Sequence, residues 1–310
     1  MSFKNNTVAE EFILLGLSGE NAVQFVLFFV FLTVYITIIT ANSLIIILII
    51  LDSNLHSPMY FFISNLSFLD LCYSSSTVPR LLRDLMSLNK IISFAECGTQ
   101  MYFSLSLGAS ECILLAVMAY DRYIAICYPL HYNIKVSKTV CIRLACGTWA
   151  TGFLITICNV IMVLNVNLCG NNKINHFVCE VTEILSLRCE SILTIELVIY
   201  FDGVFILMIP VAFIMVTYLQ IIVSILEIVS SAGRRKAFST CGSHLIVVII
   251  FYGSAIATYM KPRATSLPGT DRLFAVFYLI VTPMLNPLIY SLKNKDIKRA
   301  FYRLTNKILS

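Results

Sequence analysis

The sequence predicts an all-α membrane protein, a seven-transmembrane helix bundle with a short amphipathic cytoplasmic helix after the last span. Three observations predict it. Of the 310 residues, 58% are hydrophobic and 13% charged, with a mean hydropathy of +0.86, whereas an ordinary soluble domain is roughly a quarter charged. The apolar residues form seven blocks, about 23–50, 58–85, 94–126, 140–164, 192–226, 236–260 and 270–292, each able to supply the about 20 residues that a helix needs to cross a bilayer. Lys and Arg gather in short clusters beside these blocks, as residues that fix orientation in a membrane do. Barrel strands, which alternate over roughly 9–11 residues, do not fit. A single seven-transmembrane domain over 1–310 follows, with 1–22 outside the cell and 293–310 as a cytoplasmic tail.

Residues 1–22 carry Glu10, Glu11 and Glu20 and lack the basic start and apolar core of a cleaved signal. The first block is therefore expected to act as its own signal anchor. Asn5-Asn6-Thr7 is a glycosylation sequon, useful only outside the cytosol. The second and third blocks are the least clean, because they carry Asp70, Glu111 and Asp121. After the third block, 122–143 holds Arg122, Lys135, Lys138 and Arg143; later come Arg234-Arg235-Lys236 and a tail with six Lys or Arg against one Asp. Positive charge marks all three regions as cytoplasmic. An outside N-terminus and an inside C-terminus need an odd number of spans, and seven satisfies that. The net charge of +5 lies in these flanks, so nucleic-acid binding is not expected. No internal repeat is apparent, which argues against the paired halves of many transporters.

Asp70, Glu111, Asp121, Glu196 and Asp202 lie in or at the ends of apolar blocks. An ionised Asp at mid-bilayer costs roughly 2.5–3.5 kcal/mol on insertion scales, so these acids should face the bundle interior and mark function. At about 100° per residue, Glu111 falls about three turns and Ser104 about five turns before Arg122 on nearly one face, with Gly108 and Leu115 beside them. Pro79, Pro210, Pro283 and Pro287 lie within spans and mark bends. Asn286-Pro287 with Tyr290 one turn on makes a polar bend in the last span, which suits a bundle with two packings.

Of eleven cysteines, Cys97, Cys169, Cys179 and Cys189 fall on the outer side, where disulfides persist; four cysteines leave three pairings open. The others are expected to be reduced and mostly buried. A metal site at His176, Cys179 and Glu180 is disfavoured, since Cys179 is better used in a disulfide and His176 has no other evident partner. In the tail, Ile297, Ala300, Phe301, Leu304 and Ile308 recur at helical spacing beside Lys298, Arg299, Arg303 and Lys307. That is the pattern of a helix lying on the cytoplasmic leaflet, with membrane lipid as its partner. No HExxH, GxSxG or phosphate loop is present, so the protein is not expected to be an enzyme.

Four stretches carry a resemblance: PMYFFISNLSFLDLC at 58–72, MAYDRYIAICYPLHY at 118–132, KAFSTCGSHLIVV at 236–248 and PMLNPLIYSLKNKDIKRAF at 283–301. The chain resembles a rhodopsin-like G-protein-coupled receptor, and within that group an odorant (olfactory) receptor. Ile124, where many relatives have Val, is a trivial departure. The resemblance implies that Asp121, Arg122 and Tyr123 form a cytoplasmic switch, with Arg122 paired at rest and released to meet a G protein. Tyr218 and Tyr290 would stabilise the open state, beside the bend at Asn286 and Pro287. Asn42, Asp70, Glu111 and Asn286 match the polar cluster that in this superfamily can hold a sodium ion, the one cofactor considered; a mainly conformational role is favoured. Cys97 would pair with Cys179, and Cys169 with Cys189.

The same resemblance puts the ligand among the outer halves of the third, fifth, sixth and seventh helices. Ser104, Leu105, Gly108, Asp202, Ile206, Tyr252, Ala255, Ile256, Tyr259 and Leu279 are the residues expected there, a mostly apolar set that suits a small volatile molecule. Ser104 stands where biogenic-amine receptors place an Asp, which disfavours that group. The seventh span has no Lys before Lys293, which removes a retinal Schiff base. Asp202 would meet a cationic or hydrogen-bond-donating ligand, stay protonated within the bundle, or pair with Lys261 or Arg263. The implied protein is a plasma-membrane odorant receptor that couples to a heterotrimeric stimulatory G protein and raises cyclic AMP. A same-class receptor for a metabolite outside the olfactory epithelium is the alternative; a transporter or channel is disfavoured.

Overall fold

Eight helices account for most of the computed structural model, which describes residues 11–166, 172–188, 193–227, 230–260 and 269–309. They are α1 (Asn21–Leu51), α2 (Pro58–Leu85), α3 (Phe94–Cys127), α4 (Lys138–Leu164), α5 (Leu193–Glu227), α6 (Ser231–Tyr259), α7 (residues 270–293) and α8 (Lys295–Leu309). Stretches of α1, α3, α4, α5, α6 and α7 are long and apolar enough to cross a membrane. The 28-residue α2 has the length but is diluted by Asp70, the run Ser74–Thr77, Arg80, Arg83 and Asp84. Its polar residues are affordable because Asp70, Ser74, Thr77 and Asp84 are buried inside the bundle. The whole is a seven-transmembrane bundle with a C-terminal helix.

Local chemistry sets the helix ends. Pro58 opens α2, where a missing N–H costs nothing. Ser93 and Glu96 form a reciprocal capping box at the start of α3: Glu96 N donates to Ser93 Oγ at 3.2 Å, and Ser93 N donates to Glu96 Oε2 at 3.1 Å. Asn294 caps α8, its Oδ1 accepting from Asp296 N at 2.9 Å and Ile297 N at 3.3 Å. Two prolines leave a distinct mark. Both Pro210 and Pro283 sit just after a π-helical segment, Val204–Met208 in α5 and Phe277–Val281 in α7. The wider winding shifts hydrogen-bond partners by one residue, which lets the chain pass a proline that lacks its own N–H. Thr282 Oγ1 donates to Phe277 O at 3.1 Å and ties the second segment.

The centre of the bundle is α3, which packs on α2, α4 and α5. Its approach to α4 depends on Gly152, where a Cβ would meet the Ser110 hydroxyl and lie 2.8 Å from Ser106 O and 2.9 Å from Ser110 N. At the far end from Arg122, a three-stranded sheet of order β2-β1-β3 was not anticipated by the all-helical reading. Strand β1 (Glu11–Leu14) runs antiparallel to β2 (Ile91–Ser93) and parallel to β3 (Lys173–Ile174). Its alternation buries Phe12 and Leu14 fully while Glu11 is exposed. Gly16 at φ +72° then turns the chain, and Arg272 from α7 donates to Gly16 O at 2.8 Å and Asn175 Oδ1 at 2.6 Å. These strands and Cys97, Met101, Val160 and Cys179 make a second small core above the main one.

At the opposite end, α8 buries Ile297 and Ala300 and leaves Lys298 and Arg299 exposed. Arg303 binds Asp52 Oδ2 through Nε at 2.8 Å and Nη2 at 2.6 Å, tying α8 to the turn after α1; those bonds hold the Asp52 carboxyl below its usual range. Free cysteines are less buried than expected: Cys112, Cys141 and Cys241 are buried, but Cys146 and Cys158 on α4 are exposed.

Replacing Gly152 by Val forces α3 and α4 apart. Overpacking of this kind costs about 1–3 kcal/mol, so Gly152→Val should lower the melting temperature of the purified protein in detergent. An unchanged melting temperature would show that the α3–α4 approach is not tight.

Candidate functional site

A cavity of about 590 Å³ opens among α3, α5, α6, α7 and the loop 176–186, beneath the sheet. This is the size of a small-molecule site. Of the residues expected to line it, Ser104, Leu105, Gly108, Asp202, Ile206, Ala255 and Tyr259 do. Tyr252, Ile256 and Leu279 do not. The Tyr252 hydroxyl instead donates to Cys112 O at 2.7 Å, which aims the ring from α6 into α3. Leu279 is fully buried in the π-helical part of α7, whose extra residue per turn rotates it into the core. Ile256 packs half-buried against that same core.

The walls also include residues the sequence reading missed: Tyr73 of α2, Thr156 and Asn159 of α4, and His176, Glu180 and Glu183 of the loop. A signal was available for the loop. Cys97 at the top of α3 is bonded to Cys179, with Cα atoms 5.4 Å apart, so the neighbours of Cys179 must sit over the α3 end. Gln100 Oε1 reinforces this by accepting from Cys179 N at 3.0 Å. Cys169, Cys189, Asn5, Lys261 and Arg263 lie outside the described residues.

Glu180 is the most constrained acid at this end. It is 6% exposed; the Tyr278 hydroxyl donates to its Oε2 at 3.3 Å and stands 3.4 Å from that of Tyr259, while its Oε1 has no partner. Burial raises its carboxyl to about 7, against the opposing hydrogen bonds of Tyr259 and Tyr278. His176 stacks on Phe177 with ring centroids 4.7 Å apart, and Val178 N donates to its Nδ1 at 3.2 Å. Burial, with the Arg272 charge adding, lowers it to about 4. It is a neutral structural imidazole.

Halfway along the bundle α2, α3 and α7 meet at acids. Asn286 Nδ2 donates to Asp70 Oδ1 at 3.0 Å, Asp70 Oδ2 at 3.1 Å and Glu111 Oε1 at 3.4 Å. Glu111 Oε2 and Asn286 Oδ1 are buried without a partner. Asn42 does not join the acids. Its Nδ2 donates to Ile38 O and Pro283 O, both at 3.1 Å, so it ties α1 to the proline bend of α7 and leaves its own Oδ1 unpartnered.

At the far end Arg122 is 7% exposed. Asp121 accepts from the Tyr132 hydroxyl at 2.7 Å, and among the described residues no ion pair joins it to Arg122, for which the resemblance implied a partner at rest. Tyr132 stands one helical turn past α3, close enough to compete for the carboxylate. Tyr218 and Tyr290 both lie within the field of the Arg122 charge, and the buried Tyr290 hydroxyl has no partner. Tyr123 turns outward, its ring edge-on to Tyr128 at 5.6 Å. His244 was not singled out from the sequence. Its Nε2 lies 3.1 Å from Leu115 O and its Nδ1 2.8 Å from the Tyr218 hydroxyl. A carbonyl only accepts, so Nε2 carries the proton and Nδ1 accepts from Tyr218. The neutral ring thereby joins α6 to both α3 and α5.

Comparison with known proteins points to one family. A family profile described as "Olfactory receptor" matches residues 31–307. The chain is 45% identical to human "Olfactory receptor 2K2", over 99% of this chain and 97% of that protein. It is 47% identical to human "Olfactory receptor 2D2" over 98% of each, and 46% identical to "Olfactory receptor 226" of Rattus norvegicus over 94% of this chain and 91% of the relative.

The two loop groups titrate in opposite directions. Glu180 is raised from its ordinary 4.5 to about 7, so its contribution to stability is full below 4.5 and lost as pH rises through about 7. His176 is lowered from 6.5 to about 4, so its contribution is full above 6.5 and lost as pH falls through about 4. The melting temperature of wild type minus that of Glu180→Gln should therefore be larger at about pH 5 than at about pH 8. The underlying free-energy change is on the order of 3 kcal/mol at most. A pH-independent difference would show that Glu180 is not the buried acid described.

Proposed function

The chain belongs to the olfactory receptor family, and from that premise we propose that it is a plasma-membrane odorant receptor acting through a stimulatory G protein. A small volatile ligand binds in the cavity below the sheet, and cyclic AMP rises. The α1–α7 helices each cross the bilayer, the sheet end faces outside, and the Arg122 end and α8 face the cytosol beside the lipid headgroups. The sequon at Asn5 and a Cys169–Cys189 bond belong to the same reading, the first resting on its sequence and the second on the family resemblance. Asp70, Glu111 and Asn286 act mainly as a conformational contact in this reading, and their oxygens, two of them unpartnered, are of the hard type that a sodium ion would take.

One observation carries the reading: α6 spans both ends and is pinned to α3 twice on the way. Ala255 and Tyr259 of α6 line the cavity. Below them the Tyr252 hydroxyl holds Cys112 O and His244 holds Leu115 O. A ligand that moves the outer part of α6 loads both tethers, and their release would free the inner end beside Arg122. Tyr218, which loses His244 as α6 leaves, would then be able to turn toward Arg122. That is a two-state element with a binding site at one end, as a switch requires.

Cyclic AMP measured in cells that express this chain with a stimulatory G protein, across a broad odorant panel, tests the reading. A dose-dependent rise in wild type should be lost in Arg122→Ala at equal surface expression. A rise that survives the substitution would remove Arg122 from the switch. In the same cells His244→Phe deletes a tether; a buried hydrogen bond lost with its partner left unpaired costs about 1–3 kcal/mol. Basal cyclic AMP should rise severalfold without odorant, and an unchanged basal level would show that the tether does not hold the resting state.

A further inference from the structure

We propose that the ligand of this cavity is a small protonated amine, held by the carboxylates of Glu180 and Asp202. The inference rests on the reading of the cavity as an odorant site and names its ligand class. Five carboxylates line the cavity, those of Glu180, Glu183, Glu196, Asp202 and Asp271, and among the described residues no Lys or Arg does. Acidity alone would not define a site, and three of these acids are already engaged. Glu196 Oε1 meets Arg188 Nη2 at 2.6 Å, and Glu183 and Asp271 each have an interaction of their own.

Glu180 supplies the independent observation. It is 6% exposed and lines the cavity, and its Oε1 is buried with no donor. Buried acceptors in native proteins are almost always satisfied, so this oxygen asks for a donor from the cavity. Asp202 of α5 lines the same cavity, is half-buried and makes no hydrogen bond or ion pair among the described residues. The lining also includes apolar side chains, among them Leu105, Ile206, Phe251 and Ala255. An alkyl or arylalkyl body with one ammonium group matches both surfaces. A carboxylic acid would meet like charge, and an alcohol would satisfy Oε1 without the stronger charge-assisted bond. Ser104 of α3 carries no charge, so this arrangement differs from one built on an α3 acid; the carboxylates come from the loop and α5.

The groups around Glu180 support a pH signature. It faces Tyr259 of α6 and Tyr278 of α7 directly, and Tyr73 of α2, Glu183 of the loop and Asp271 of α7 lie within its field. Arg272, the nearby cation, is turned to Gly16 O and Asn175, and His176 beside it is neutral. Without ligand Glu180 titrates near 7; an ammonium favours its ionised form and must expel the proton. Amine affinity should therefore climb from about pH 6 to about pH 8, while a neutral ligand shows no such rise.

The experiment uses the full chain in lipid nanodiscs and reads the thermal shift caused by ligand, which needs no G protein. Isoamylamine, cyclohexylamine and phenethylamine are titrated to about 1 mM beside the alcohols of the same carbon skeletons. The amines should stabilise the receptor, bind more tightly than the alcohols and gain affinity with pH. Glu180→Gln and Asp202→Asn, which keep size and hydrogen-bonding groups, should each weaken amine binding roughly tenfold or more, with the unliganded melting temperature reporting that they fold. No shift with any amine, alcohols binding as well as amines, or wild-type amine affinity in both variants would overturn the assignment. Cyclic AMP run in parallel separates the two readings. Amine binding without a cyclic AMP response supports the ligand class and counts against the signalling role. A response to neutral odorants that amines neither elicit nor block does the reverse.

Discussion

The rest of the structure depends on one amide group. Asn286 offers two N–H donors through Nδ2, and three carboxylate oxygens of Asp70 and Glu111 gather on them at 3.0–3.4 Å. All three residues are 0–2% exposed, in a part of the chain where the surrounding lipid offers polar groups no partner. This contact holds α2, α3 and α7 together at mid-height, and it holds them incompletely, since Glu111 Oε2 and Asn286 Oδ1 remain unpaired. A network satisfied in part is not a deep energy well. It is what a bundle with two accessible packings would place at its centre, with the π-helical bend of α7 immediately above it.

The two ends differ in how firmly they are held. At the sheet end, a disulfide, three strands and Arg272 fix the loop over the cavity. The loop is the fixed wall of the cavity, and α6 is the wall that a ligand can move. At the Arg122 end Arg303 ties α8 to Asp52, but the ties around Arg122 itself are single hydrogen bonds, from Tyr132 to Asp121 and from His244 to Leu115 O and Tyr218. A typical net hydrogen bond is worth about 1 kcal/mol, so that end is the one that opens. The asymmetry matches a rigid receiving face and a loose transmitting face, and α6 is the element common to both.

Much of this was legible in the sequence because membrane helices announce themselves by length. The apolar blocks need no tertiary information, and the acids within them could be assigned to the interior from solvation cost alone. What the sequence could not show was rotation. Leu279 and Tyr252 were expected in the cavity by position, but a π-helical turn in α7 shifts the phase of the first, and the second spends its hydroxyl on Cys112 O. Asn42 was grouped with the acids by the resemblance and instead holds the Pro283 carbonyl. Glu180 figured only in a disfavoured metal site with His176 and Cys179. Only the disulfide's geometry brings it over the cavity. Strand β1 was missed because four residues of alternation at a chain end are a weak signal, made stable by partners far away at 91–93 and 173–174.

The central claim is that the inner end of α6 leaves α3 when a G protein binds. Double electron–electron resonance between genetically encoded spin labels at Leu130, which is 92% exposed, and at Arg235 on the exposed side of α6 would measure it directly. With nucleotide-free stimulatory G protein added to the receptor in nanodiscs, a longer-distance population should appear and should vanish when nucleotide restores dissociation. A distance distribution that stays unchanged while the G protein demonstrably binds would contradict the account.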